Sequence, residues 1–220
     1  MELKILNYKR VEYLEALEIQ RALQERRILG KIPDTLLVLE HDAVLTMGKR
    51  AQLSNILASK QELLDKGIAT VDVERGGDVT YHGPGQLVVY PILDLTDHKK
   101  DIRDYVSKLQ DVIINVLHRQ FKIDATKKTG IHTGVWLGDK KIAAIGISVS
   151  KWVTMHGFAL NVNTDLSHFD WIVPCGLAGF GVTSIAELTG AKVDFAQVSN
   201  HITEEFIRVF GYKEVFVEQA

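Results

Sequence analysis

Apolar positions along this chain recur with two periods, and the switches between them mark out the elements. Val11, Leu14, Leu17 and Leu23 return at near-helical spacing with charges between them, which predicts an amphipathic helix over residues 11–28 ending near Gly30. The run Thr35-Leu36-Leu37-Val38-Leu39-Glu40 is predicted as a buried strand. Ser59-x-x-Glu62 has the form of a capping box, opening a short helix that Gly67 stops, and Ile68 to Val73 alternates as a strand. Ile102, Tyr105, Val106, Leu109, Val112, Ile113, Val116 and Leu117 keep a plainly helical period. Residues 134–137, 141–150 and 155–161 are predicted as three antiparallel strands joined by short turns. Two capped helices follow, from Ser184 to Gly190 and from Asp194 to Gly211, and Glu214 to Val217 is a last strand.

Helices and strands interleave without strict β-α-β repetition, so the expected fold class is α+β, a mixed β-sheet flanked by helices. No internal repeat, low-complexity run or Pro/Ser-rich linker divides the 220 residues. A single domain over residues 1–220 is expected, with the segment from about residue 183 open to forming a small C-terminal lobe. A chain of this length buries a sizeable core without disulfides or metals. The formal net charge of −2 gives no global attraction to nucleic acid or to an anionic membrane, so any acidic partner must meet a local basic patch. The N-terminus lacks the apolar core of a signal peptide, and no apolar run approaches the ~20 residues needed to span a bilayer. With one cysteine and therefore no internal disulfide, a cytoplasmic protein with a reduced thiol is expected.

That cysteine is the first candidate for chemistry. Cys175 sits in Val173-Pro174-Cys175-Gly176-Leu177-Ala178-Gly179, where proline and glycines fix an irregular backbone around the thiol, leaving core packing or thiol chemistry as its roles. A second candidate is the segment from Arg75 to Gln86, which packs Gly76, Gly77, Gly83, Gly85 and Pro84 around Arg75, Asp78, Thr80, Tyr81, His82 and Gln86 between two predicted strands. Such a loop brings its backbone close to a ligand, or else is a hairpin with polar turn residues. It fits neither a Walker A loop nor a dinucleotide fingerprint, so no nucleotide cofactor is predicted.

Lys141 opens a strand of apolar and small residues. A lysine tucked there loses hydration of its charge and can serve as a base, whereas its neighbour Lys140 reads as a solvated hairpin residue. Ala143, Ala144, Gly146, Gly157 and Ala159 remove side-chain volume from adjacent strands, which either leaves a slot for an apolar chain or lets helices pack closely. Of eight histidines, none falls in a metal-binding spacing, so no metal site is predicted. His82 and His156, beside glycines, are candidates for orienting a substrate or a strand, while His98, His118, His168 and His201 read as surface residues.

Four ordered blocks, Arg75 to Gln86, Lys141 to Gly146, His156-Gly157-Phe158-Ala159-Leu160-Asn161 and Pro174-Cys175-Gly176, together resemble the octanoyl (lipoyl) transferases of lipoate biosynthesis. The likeness runs from about residue 35 to residue 190. It implies the fold of the catalytic domains of lipoate and biotin protein ligases. It also implies a reaction in which an octanoyl group passes from the thioester of acyl carrier protein to one lysine of a lipoyl domain. The acceptors it implies are the lipoyl domains of dehydrogenase complexes and the glycine-cleavage carrier protein. By the same resemblance Cys175 and Lys141 are the catalytic pair. The glycine-rich loop, the segment Ala143-Ala144-Ile145-Gly146 and the strand His156-Gly157-Phe158-Ala159 line the acyl site. Val44-Leu45-Thr46-Met47-Gly48-Lys49-Arg50 matches the family's threonine-glycine turn more loosely.

The chemistry fits these residue types. An amine at Lys141 takes the thiol proton, and the thiolate attacks the carrier thioester to form an acyl-enzyme. N–H groups near Cys175 and Gly176 hold the oxyanion, and Lys141 then deprotonates the incoming amine. Two alternatives remain: an ATP-dependent lipoate or biotin protein ligase, in which Cys175 is dispensable, and a non-catalytic acyl- or carrier-binding protein. Lys49, Arg50, Lys127, Lys128 and Lys140 form either a docking patch for an acidic partner or an ordinary solvated surface.

Overall fold

A computed structural model of the chain describes residues 1–173 and 179–219. In chain order its elements are β1 (Glu2–Val11), α1 (Tyr13–Ile28), β2 (Asp34–His41), β3 (Val44–Met47), α2 (Lys60–Asp65), β4 (Ala69–Asp72), β5 (Val79–His82) and β6 (Gln86–Ile92). There follow α3 (Ile102–Phe121), β7 (Thr126–Lys128), β8 (Gly134–Leu137), β9 (Lys140–Ser150), β10 (Val153–Asn161), β11 (Gly181–Val182), α4 (Ile185–Thr189), α5 (Phe195–Phe210) and β12 (Glu214–Gln219). The large sheet has the order β12-β1-β2-β6-β10-β9-β8-β7, with β11 beside the start of β9, and a small sheet has the order β4-β3-β5. β1 runs parallel to both β12 and β2 and β11 runs parallel to β9, while the pairs β2–β6, β6–β10, β10–β9 and β9–β8 are antiparallel, so the sheet is mixed. This is the α+β class expected from the pattern. Among the described residues, no helix is long and apolar enough to cross a membrane.

Two helices cover one face of the large sheet. α3 begins at Asp101, whose carboxylate accepts from the N–H groups of Arg103 (2.7 Å) and Asp104 (3.2 Å), and ends at Lys122 in a left-handed conformation. Its apolar stripe, Leu109, Val112, Ile113 and Val116, meets Val198, Ile202, Phe206 and Phe210 of α5 over Leu36, Val89 and Leu160 of the sheet. Burying each such side chain contributes about 1.5–3 kcal/mol. The residues after 183 share this core through α5, and β12 extends the sheet beside β1.

On the opposite face α1 sets Tyr13, Ala16 and Leu17 against Leu37, Leu39, Val88, Met155 and Ala159. The expected helix start at residue 11 is corrected here. Residues 2–11 form a strand, Val11 belongs to it, and Leu14 faces solvent. The buried face of α1 includes Gln20, a polar residue that apolar spacing could not have pointed to.

Three of the four histidines expected at the surface are partly covered instead. His98 has a side chain only 6 % exposed, with Nε2 3.2 Å from Asp34 Oδ2. Burial pushes the Asp34 carboxyl up, but hydrogen bonds from His98, Tyr212, the Asp94 N–H and Arg27 outweigh it and hold the group below its usual range. His168 is bonded through Nδ1 to Tyr81 OH at 2.7 Å and stacks on Trp171, and His201 is half-buried on α5. His118 alone of the four is exposed.

Candidate active site

The glycine-rich segment is not an open loop: its second half is β5, paired antiparallel with β3. Strand alternation then sorts its residues. Thr80 and His82 face a cavity of about 890 Å³, whereas Tyr81 turns the other way into the cluster of Leu45, Phe169 and Ile172. The first half is braced by the segment 44–50. Arg75, buried, donates from Nη2 to Thr46 O (2.7 Å) and Thr46 Oγ1 (2.8 Å), while the N–H groups of Lys49 and Arg50 donate to Arg75 O and Gly77 O. Gly48 is required by this contact, since a Cβ there would lie 2.5 Å from Gly77 O. The loosely matching threonine-glycine turn therefore holds the loop in shape.

β9 and β10 supply the cavity floor. Their register pairs Ala144 with Ala159 and Gly146 with Gly157, so small residues stand side by side and leave a slot. Gly146 also admits the loop, since a Cβ would meet Gly76 O at 2.9 Å and Arg75 Cδ at 3.1 Å. Gly157 has a different reason, because a Cβ would lie 2.2 Å from Val89 O of β6.

Tyr13, His82, Tyr90 and His156, all buried, close one end of the cavity, while the exposed Arg50, Gln52, Ile102, Arg103 and Ile131 stand at its rim. The closed end holds its histidines neutral. Burial pushes His41, which packs behind Tyr13, down to about 4 despite its bond to Val11 O. Its neutral ring donates from Nδ1 to Val11 O (2.8 Å) and accepts at Nε2 from Tyr90 OH (2.7 Å). Burial also pushes His156 down to about 4 and His82 well below its ordinary range.

Lys141 is 5 % exposed and lines the cavity at the far end of the same strand pair, with Nζ 4.8 Å from the centre of the Trp136 ring. β9 is gripped there on both sides, by Trp136 of β8 and Val182 of β11. Gly134 makes room for it, since a Cβ would lie 2.6 Å from Ala143 O and 3.5 Å from Lys141 Cδ. Buried hydrogen bonds run from the loop to this strand. His82 Nδ1 bonds Gln86 Oε1 (2.8 Å), Gln86 Nε2 donates to Asn161 Oδ1 (2.9 Å), Asn161 Nδ2 donates to Thr183 O (3.0 Å), and the Thr183 N–H donates to Lys141 O (3.0 Å).

Of the expected site residues, Lys141, Arg75, Gly76, Gly77, Asp78, Thr80, His82, Ala144, Ile145, Gly146, His156, Gly157, Phe158 and Ala159 line the one cavity. Tyr81, Gly83, Gly85, Gln86 and Ala143 do not; they buttress it or face the α3 core. Cys175 and Gly176 lie outside the described residues. Their flanks are anchored at the cavity wall: the Val173 N–H donates to Asn55 O (2.7 Å), Asn55 donates to Asp78 (2.6 Å), and Val182 pairs with Lys141. The sequence reading missed Tyr13, Tyr90 and Gln110 in the lining, because each reads as an ordinary core position of its element. Of the suggested docking cations, Lys127, Lys128 and Lys140 are engaged with Asp111, Asp139 and Glu187, and Arg50 and Lys127 reach the cavity.

Residues 12–207 match the family model described as the lipoyl protein ligase A/B catalytic domain. The chain is 49% identical over 219 residues to an octanoyltransferase of Caldicellulosiruptor saccharolyticus, covering 100% of this chain and 93% of that protein. It is 52% identical over 201 residues to an octanoyltransferase of Caldicellulosiruptor bescii, covering 91% and 88%. Among solved structures, a putative lipoate protein ligase from T. acidophilum with bound lipoic acid superposes with a TM-score of 0.76 at 18% identity, covering 100% of this chain and 89% of that one.

Proposed function

Since the chain belongs to the lipoyl protein ligase A/B catalytic-domain family and is an acyltransferase of protein lipoylation, we propose that its cavity carries an octanoyl group from acyl carrier protein to a lysine of a lipoyl domain, by way of Cys175. The observation that carries this reading is the anchoring of the cysteine segment. It leaves the cavity wall at Val173 and returns on β11 against Lys141, a buried lysine at one end of an apolar slot. The described flanks of Cys175 thus both touch residues that line the cavity, Asn55 on one side and Lys141 on the other.

In the proposed first half-reaction Lys141 Nζ, as free amine, accepts the Cys175 proton. The thiolate attacks the thioester carbonyl, the carbon–sulfur bond to the carrier breaks, and the leaving carrier thiolate takes the proton back from Lys141. In the second, the acceptor lysine amine attacks the Cys175 thioester, Lys141 takes its proton, and Cys175 leaves as thiolate to be reprotonated. Backbone N–H groups around Cys175 and Gly176 stabilise the oxyanion of each step. The slot between Ala144, Gly146, Gly157 and Ala159 takes the apolar chain.

The donor is already a thioester, so no nucleotide is needed. Lipoyl domains of dehydrogenase complexes and the glycine-cleavage carrier protein are the proposed acceptors, in the compartment where acyl carrier protein is found. The test is transfer from octanoyl-acyl carrier protein to a purified lipoyl domain with and without ATP. Equal transfer under both conditions is expected, and dependence on ATP would replace this reading with that of a ligase.

A further inference from the structure

We propose that His156 gauges the length of the acyl chain: its ring closes the inner end of the slot, so that an eight-carbon chain fills the slot and a longer one is refused. The inference rests on the acyl-transfer reading and deepens it. Ala144 pairs with Ala159, Gly146 with Gly157 and Ile147 with His156. From the alanine pair to the histidine the floor thus advances three residues along β9, about 10 Å at ~3.3 Å per residue. That span matches an extended eight-carbon chain whose carbonyl lies on the Lys141 side of Ala144. Beyond His156 the next pair is Met155 with Ser148, both off the cavity, and Met155 packs into the core beneath α1.

The ring is held as a fixed stop. His156 has a left-handed backbone, with φ of 59° within a strand, an uncommon conformation for a residue with a side chain. Its N–H donates to Gln20 Oε1 at 2.9 Å, which ties the kink to α1, and its ring meets the Tyr90 ring edge-on at 6.2 Å. The residue is 1 % exposed, yet neither ring nitrogen has a hydrogen-bond partner among the described residues. Polar atoms in that position are costly to seal off. Both nitrogens are already covered by protein, so the ring stands as part of a packed wall that gives a further methylene no room. Within the slot each buried methylene gains about fourfold in binding. One methylene too many against a formed wall loses roughly 10–200-fold.

The experiment measures kcat/KM with acyl carrier thioesters of six, eight, ten and twelve carbons for the wild type, His156→Gly and His156→Asn. Glycine and asparagine both tolerate the left-handed backbone, so the kink survives while the ring is removed. The wild type should peak at eight carbons, and the ratio of ten-carbon to eight-carbon transfer should rise at least tenfold in His156→Gly and less in His156→Asn. Melting-temperature shifts with free fatty acids of the same lengths should follow the same order without any turnover. Unchanged chain-length order in both variants, with octanoyl transfer continuing, would overturn the gauge and leave the transferase standing. A wild type that transfers no acyl group from any thioester would overturn both.

Discussion

The two faces of the large sheet are built on different principles. Towards α5 and most of α3 the sheet meets a dry core of Leu, Val, Ile and Phe, closed by stacked rings such as Phe206 and Phe210 at 4.3 Å, and only the first half of α3, from Ile102 to Gln110, borders the cavity. Towards α1 and the glycine-rich segment the same strands meet Tyr13, His41, His82, Tyr90 and His156, with small residues where the other face has large ones. One face gains stability from apolar burial. The other gives some of that up, keeping buried neutral histidines and a slot. The contrast explains how β9 and β10 serve both: Ala143 and Leu160 look into the core, while Ala144 and Ala159, one residue along, look into the cavity.

If the division is sound, substitutions on the two faces separate activity from stability. The largest effect is expected for Lys141→Ala, a loss of ~10²–10⁴-fold in kcat/KM, the usual worth of a positioned acid or base, at an unchanged elution volume and near-native melting. Lys141→Arg should not rescue it, because guanidinium does not release its proton. Lys140→Ala, which removes only an exposed pair with Glu187, should stay within twofold of wild type by the same assay. An active arginine variant would move Lys141 from the chemistry to the scaffold.

Phe206→Ala on the dry face should do the reverse. Removing a fully buried ring costs roughly 3–5 kcal/mol in chemical denaturation, while turnover per folded molecule stays constant. Lost turnover at constant stability would show that the faces are not separable.

The smallest effect is a pH dependence confined to the polar face. His41 and His156 titrate at about 4 when folded, below the ordinary 6.5, so the folded state stays neutral while the unfolded chain takes up protons. Their contribution is complete above pH 6.5 and is lost as pH falls towards 4. His156→Asn should therefore flatten the stability curve between those limits by about 1.4 kcal/mol per pH unit relative to wild type. An identical slope in the variant would mean that the ring is not held neutral.

The dry face was the more legible of the two in the sequence. The helical period of residues 102–117, the capped helix up to Gly211 and the three strands between 134 and 161 all stand where periodicity, capping and turn signals put them, because local signals and repeated apolar burial agree there. The polar face hid its geometry. α1 buries Tyr13 and Gln20 beside Leu17, while Leu14 is exposed, so apolar spacing recovered only part of its buried face. β1 escaped notice because its alternation fails where the register shifts between Asn7 and Arg10. β5 was concealed among glycines that serve close contacts: Gly83 avoids the Tyr81 ring two residues back, and Gly85 avoids Asn163, a contact set by the fold and not by neighbouring residues. Motif resemblance, in contrast, assembled nearly half of the cavity lining, since short ordered blocks carry chemistry that periodicity does not.

The proposed octanoyl thioester on Cys175 can be read from the intact mass of the protein mixed with octanoyl-acyl carrier protein and no acceptor. One octanoyl adduct should appear, map to the peptide containing Cys175, be absent in Cys175→Ala, and discharge when a lipoyl domain is added, with ATP changing none of these. Product formed in single-turnover conditions with no adduct at any time, or an undiminished rate in Cys175→Ala, would contradict the covalent route.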